Sequence, residues 1–88
     1  MVQTDVKIIN RAGLHARAAA KLVGVTAGFS SKIQIGRDKM VDAKSILSLM
    51  MLAAVKGTTL NVVAEGDDEE QAIKAIVALI NNRFDEGE

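Results

Sequence analysis

The sequence predicts an α+β fold in which four short strands form one sheet and three helices pack on one of its faces. Three segments alternate apolar and polar residues, as strands with one buried face and one wet face do, and a fourth, shorter strand is predicted after a turn at Arg37-Asp38. Three other segments space their apolar residues like amphipathic helices. The predicted order is β-α-β-β-α-β-α in a single domain that spans residues 1–88. The alternation favours an antiparallel or mixed sheet, but spacing alone does not fix the strand order.

The predicted strands are short and regularly patterned. They cover residues 2–9, 32–36, 40–43 and 58–65. Their inward positions include Ile33 and Ile35 in the second strand and Leu60, Val62 and Ala64 in the fourth.

The predicted helices have recognisable starts or stops. The first covers residues 16–27 and stops at Gly28, and the second runs from 46 to about 54 behind Ser45 as N-cap. The third follows Gly66, with Asp67 and Glu70 as a capping box. Residues 85–88 are predicted to fray. The buried stripes predicted for the first and third helices are Ala16, Ala19, Ala20, Val23 and Ala27, and Ala72, Ile73, Ile76, Leu79, Ile80 and Phe84.

The composition excludes several classes of function. Eleven basic residues balance eleven acidic ones and only two residues are aromatic, which does not suit a nucleic-acid partner. Because cysteine is absent, disulfide and thiolate chemistry are excluded. The sequence shows no signal peptide and no apolar run of the ~20 residues that a membrane helix needs. We expect a cytoplasmic monomer with no cofactor, no metal and no membrane partner.

His15, the only histidine, lies where a glycine-containing loop leads into an alanine-rich helix. A lone histidine in a small domain is more often an ordinary surface or core residue. Here Gly13 permits a restricted backbone before the helix, and an N-cap at His15 places the ring among unpaired N–H groups. Those groups and the helix dipole stabilise a phosphoryl group attached to the ring.

Arg17, two residues further on, offers a planar cation with several donors for phosphate oxygens. By itself this arginine is as readily a solvated surface charge. Beside His15 it indicates a phosphate carrier rather than a hydrolase, because nothing nearby suggests a general base or a metal ligand.

The second predicted helix carries more apolar residues than one stripe can bury. We expect Ile46, Leu49 and Leu52 to face the core. The remaining three, Leu47, Met50 and Met51, are named the docking patch, because flexible methionines suit a surface that binds several partners. Ser45 is predicted to cap this helix, and a phosphate there would be tolerated beside the patch.

Several segments, which together span nearly the whole chain, are similar to the HPr family, the histidine phosphocarriers of the bacterial phosphotransferase system. They are Gly13-Leu14-His15-Ala16-Arg17, Gly28-Phe29, Ala43-Lys44-Ser45-Ile46, Lys56-Gly57-Thr58 and Ala64-Glu65-Gly66-Asp67-Asp68-Glu69. The resemblance implies an open-faced β-sandwich with four antiparallel strands under three helices. It implies a carrier, not an enzyme in itself, that passes a phosphoryl group from phosphoenolpyruvate through Enzyme I to IIA-type acceptors, for sugar uptake, regulation or both.

The resemblance also assigns roles to individual residues. It implies that His15 is phosphorylated at Nδ1, that Arg17 assists the phosphate, and that an HPr kinase/phosphorylase modifies Ser45. It implies that donor and acceptor bind at the docking patch. One position departs from the family, which usually has proline directly after the arginine. This chain has Ala18, so the stiffness that proline gives to the first helical turn is lost.

Two segments, residues 50–54 and 84–86, are similar to the nitrogen-regulatory branch of the family (NPr) and imply a regulatory or mixed duty. Two other functions stay open from the residues alone. One is an interaction module that acts through Ser45 and the docking patch while His15 is idle. The other is a small domain that binds RNA or a metabolite. The balanced charge and the scarcity of aromatic residues argue against binding of RNA.

Overall fold

The computed structural model describes residues 1–88 and contains one four-stranded antiparallel sheet and three helices. The strands are β1 (Val2–Lys7), β2 (Lys32–Gly36), β3 (Met40–Asp42) and β4 (Thr59–Glu65). The helices are α1 (Ala16–Thr26), α2 (Ile46–Met51) and α3 (Glu69–Asn81), followed by a short turn, Arg83–Asp85. The predicted open-faced α+β sandwich is confirmed.

The strand order, which spacing could not supply, is β1-β4-β2-β3. The last strand in sequence therefore lies inside the sheet, paired with β1 on one side and β2 on the other. β1 and β3 form the two edges. None of the helices has the length and apolar character needed to cross a membrane.

The core lies between the sheet and the helices and contains nineteen buried apolar side chains. The inward positions predicted for β2 and β4 are confirmed, since each side chain there is at most 1% exposed. In the stripe predicted for α3, only Leu79 is half-buried rather than buried. Phe84 is buried as expected, but it lies in the turn beyond α3.

The stripe predicted for α1 is wrong at three of its five positions, although Ala19 is buried and Val23 packs half-buried against the core. The buried residues of α1 are Ala18, Ala19, Leu22 and Thr26, whereas Ala16, Ala20 and Ala27 are exposed. Alanines occupy both faces of this helix, so hydrophobicity does not distinguish them. The polar Thr26 belongs to the core face because its hydroxyl donates to the backbone oxygen of Ala43 at 2.9 Å.

α2 is shorter than predicted, and one of its predicted core residues is wrong. The helix ends at Met51, and Ala53 just beyond it has a left-handed backbone with φ of 49°. Leu49 is fully buried as expected and Leu52 is half-buried, but Ile46 is 41% exposed.

The capping box predicted before α3 is also wrong. The N-cap is Asp68, and its carboxylate makes no capping hydrogen bond. Instead, that carboxylate accepts from the backbone N–H groups of Ser30 and Ser31, at 2.8 Å and 3.0 Å. It thereby joins the start of α3 to the loop between α1 and β2.

Candidate functional site

The His15 ring caps the amino end of α1, as the sequence predicts. The residue has extended backbone angles, and its Nδ1 accepts a hydrogen bond from the backbone N–H of Arg17 at 3.3 Å. The side chain is 36% exposed, so a reactant in solvent can reach it. One ring nitrogen therefore faces the unpaired N–H groups at the positive end of a helix.

The loop before His15 is held from two sides. Asn10 is fully buried and donates from Nδ2 to the backbone oxygen of Gly13 at 2.7 Å. The backbone N–H of Leu14 donates to the oxygen of Ala54 at 2.8 Å, which joins the loop to the segment after α2. Gly13 has φ of +72°, and a Cβ there would lie 2.5 Å from the same Ala54 oxygen. The approach of these two segments requires glycine.

The carboxylate of Glu86 contacts the His15 ring, and the sequence did not reveal this contact. Its Oε2 lies 2.5 Å from His15 Nε2, and its Oε1 accepts from Asn10 Nδ2 at 2.9 Å. Burial by itself would raise the pKa of Glu86, but the hydrogen bonds from Asn10 and His15 outweigh it and hold that pKa below its ordinary value. The carboxylate therefore stays charged beside the ring near neutral pH.

The prediction that residues 85–88 fray is wrong, because the segment is fixed at several points. Phe84 is fully buried, and its backbone oxygen accepts from Lys21 Nζ at 2.8 Å. Further on, the backbone oxygen of Glu88 accepts from the N–H of Arg11 at 2.5 Å. Three consecutive non-glycine residues, 83–85, adopt positive φ between 52° and 62°, which turns the chain back toward the helices. Only the apolar Phe84 in an acidic tail signalled such an anchor.

The Arg17 guanidinium is exposed and forms none of the three ion pairs of the structure. Its backbone N–H contacts His15 Nδ1 while its cationic head remains available. The two residues singled out from the sequence are thus brought together, and the arginine has no structural role that would occupy its charge.

Ser45 caps α2 as predicted, with its Oγ accepting from the backbone N–H of Ser48 at 3.2 Å. The docking patch is exposed, by 70% at Leu47, 42% at Met50 and 75% at Met51. Val55, also apolar and 67% exposed, directly follows Ala54, whose backbone oxygen accepts from the Leu14 N–H.

Comparison with known proteins identifies the family. A family model described as "PTS HPr component phosphorylation site" matches residues 2–82. The chain belongs to the HPr family. HPr proteins are phosphocarriers of the phosphotransferase system, and this chain is one of them.

Relatives and solved structures match the chain over nearly its full length. It is 53% identical to the phosphocarrier protein HPr of Pseudomonas aeruginosa, with 100% of both chains covered. The structure superposes on HPr-C-His from Thermoanaerobacter tengcongensis with a TM-score of 0.94 and 47% identity, over 98% of each chain. An HPr dimer from the same organism superposes with a TM-score of 0.76 and 47% identity, over 96% of this chain and 98% of that one.

Proposed function

We propose that this HPr protein accepts a phosphoryl group on Nδ1 of His15 from phosphorylated Enzyme I and passes it to IIA-type acceptors. The observation that carries the proposal is the position of the ring. It is partly exposed at the start of α1, with Nδ1 3.3 Å from a backbone N–H and an unpaired arginine in the same turn. That combination suits the transient binding of a phosphate better than it suits a purely structural role.

For phosphoryl transfer, this chain has mainly to place the His15 ring and the groups that stabilise a phosphoryl group bound to it. The helix N-terminus and the Arg17 guanidinium both stabilise negative charge on a phosphoryl group bound to the ring. In a loose, in-line phosphoryl transfer, catalysis consists mainly of positioning and charge stabilisation, much of which the partner brings. The protein therefore acts as a carrier whose transfers are catalysed together with partner enzymes.

The docking patch is the surface that we propose for both donor and acceptor. Its exposed methionines and leucine lie in α2, and the segment after α2 is joined to the His15 loop through the Leu14–Ala54 hydrogen bond. Flexible methionine side chains adapt to partners of different shape. We further propose that an HPr kinase/phosphorylase modifies Ser45, and that the protein acts in the cytoplasm as a monomer in sugar uptake, nitrogen-linked regulation or both.

Phosphorylation by Enzyme I and labelled phosphoenolpyruvate tests the proposal. The wild type is expected to take up acid-labile, base-stable label, and His15→Ala none. Arg17→Ala is expected to slow uptake by about a hundredfold, because it removes a donor that stabilises transferring charge. Lys7→Ala, which removes an exposed cation from β1, away from the docking patch, serves as the control. An unlabelled wild type, or full labelling of His15→Ala, would refute the assignment.

A further inference from the structure

Two contacts of the His15 ring, one on each nitrogen, define its tautomer. Nδ1 accepts a hydrogen bond from the backbone N–H of Arg17, so it must present a lone pair rather than a proton. In the uncharged ring the proton then resides on Nε2, which lies 2.5 Å from Glu86 Oε2. A carboxylate oxygen is an acceptor, so Nε2–H donates to Glu86 and the two contacts are consistent only with this tautomer.

The position of Glu86 is fixed by contacts on both sides of its carboxylate group. The other carboxylate oxygen is held by the buried Asn10, which also fixes the loop before His15 through Gly13. Along the chain, Phe84, two residues before Glu86, is buried and anchors this segment to the core. Asn10 thus contacts both the carboxylate and the loop that carries the ring.

We propose that Glu86 is a positioning residue that reserves Nε2 as the protonated nitrogen and leaves Nδ1 as the nucleophile for phosphoryl transfer. The inference rests on the proposed carrier function of His15 and explains why only one of the two ring nitrogens would react. A carboxylate or carbonyl that accepts the second N–H of a histidine sets ring orientation and tautomer in other protein sites. Here the acceptor comes from the far end of the sequence.

The transfer balances without loss of a ring proton. The Nδ1 lone pair forms the new N–P bond while the donor's bond to phosphorus breaks and its electron pair stays with the donor. The proton remains on Nε2 throughout, so the ring carries a positive charge that the Glu86 carboxylate offsets. When the phosphoryl group moves to an acceptor, the N–P electron pair returns to Nδ1 and the starting tautomer is restored.

Nitrogen-15 NMR of the histidine ring and the rate of labelling together test the role of Glu86. Wild type is expected to show Nε2–H protected from solvent exchange, unprotonated Nδ1, and a single Nδ1-phosphorylated product. Glu86→Ala is expected to lose the protection, form some Nε2 product and take up phosphate about tenfold more slowly, a typical loss for a residue that orients a reactive histidine. Glu86→Gln keeps an acceptor oxygen and is expected to recover the protected Nε2–H and the Nδ1 product.

Glu88→Ala is the matched control, because it removes a carboxylate from the same segment without contact to the ring. The inference is overturned if Glu86→Ala keeps the wild-type ring signals, product or rate, if Glu86→Gln behaves like Glu86→Ala, or if Glu88→Ala causes the same losses. These outcomes leave the carrier function standing as long as His15→Ala abolishes labelling of an otherwise active wild type. Failure of the wild type to accept phosphate at all would instead refute the proposed function.

Discussion

At the scale of single residues, Gly13 controls the loop that delivers His15 to the start of α1. Replacing it with alanine forces a side chain into a left-handed backbone and places Cβ 2.5 Å from the Ala54 oxygen. We expect Gly13→Ala to lower the free energy of unfolding by about 1–3 kcal/mol, the cost of such backbone strain. Chemical denaturation measures the change.

Gly24 provides the opposite case in the same structure. It lies within α1, and a Cβ there would meet nothing within 4 Å. Gly24→Ala is therefore expected to raise the free energy of unfolding by about 0.5–1 kcal/mol. Equal effects of the two substitutions would show that the contact between Gly13 and Ala54 does not constrain the loop.

The local part of the site could be predicted from the sequence. A histidine at a glycine-to-helix junction with an arginine two residues further on points to the N-cap geometry, because each relation spans only a few residues. The Glu86 contact could not be predicted, because it joins residues 71 positions apart. It depends on a left-handed turn of three non-glycine residues, and nothing in their side chains signals that conformation.

At the scale of elements, the junction between α3 and the loop after α1 depends on the charge of Asp68. The Ser31 hydroxyl first, and then the Ser30 N–H, lower the pKa of this carboxyl to about 2 from an ordinary 3.8. A folded-state pKa below the unfolded value means that the stabilisation is complete above pH ~4 and is lost as the pH falls toward ~2.

Asp68→Asn is accordingly expected to melt at a lower temperature than the wild type near neutral pH. The difference should shrink as the pH falls through this window, because the wild-type carboxyl becomes protonated. Thermal melts followed by circular dichroism between pH 7 and pH 2 measure it. Asp67→Asn, which alters an exposed neighbour without these hydrogen bonds, should show no comparable convergence. A constant gap across the whole range would contradict the role of the charge.

The elements themselves could be predicted more fully than their ends and contacts. Alternation identified three of the four strands, since a half-buried strand leaves a period of two in the sequence, whereas β3 was predicted from the turn before it. The start of α3 was misjudged because Asp68 bonds to Ser30 and Ser31, which belong to a distant loop, instead of to its own helix. Strand order was likewise outside the reach of spacing, because it depends on which sheet edge each crossover joins.

At the scale of the whole molecule, Phe84 ties the end of the chain to the core. The side chain is 0% exposed, and truncation of a buried phenylalanine typically costs about 3–5 kcal/mol. We expect Phe84→Ala to lose stability by this amount, a large share of what a domain of this size has, and to expose Nε2–H of His15 to solvent exchange.

Denaturant unfolding and the NMR exchange measurement report these two effects separately. Leu47→Ala, which trims a side chain that is 70% exposed, should change the free energy of unfolding by no more than about 0.5 kcal/mol. A Phe84→Ala protein as stable as the wild type, with Nε2–H still protected, would show that the segment does not need its anchor.

The sheet has helices on one side only, and this leaves its other side available for engineering. Gln3, Asp5 and Lys7 of β1 point outward and are exposed, while the chemistry and the docking patch belong to the helices and their loops. A fluorophore or an immobilising tether attached at position 7, through the substitution Lys7→Cys, should therefore let complex formation be followed without obstructing it. Cysteine-directed labelling is especially simple, because an introduced thiol would be unique in this chain.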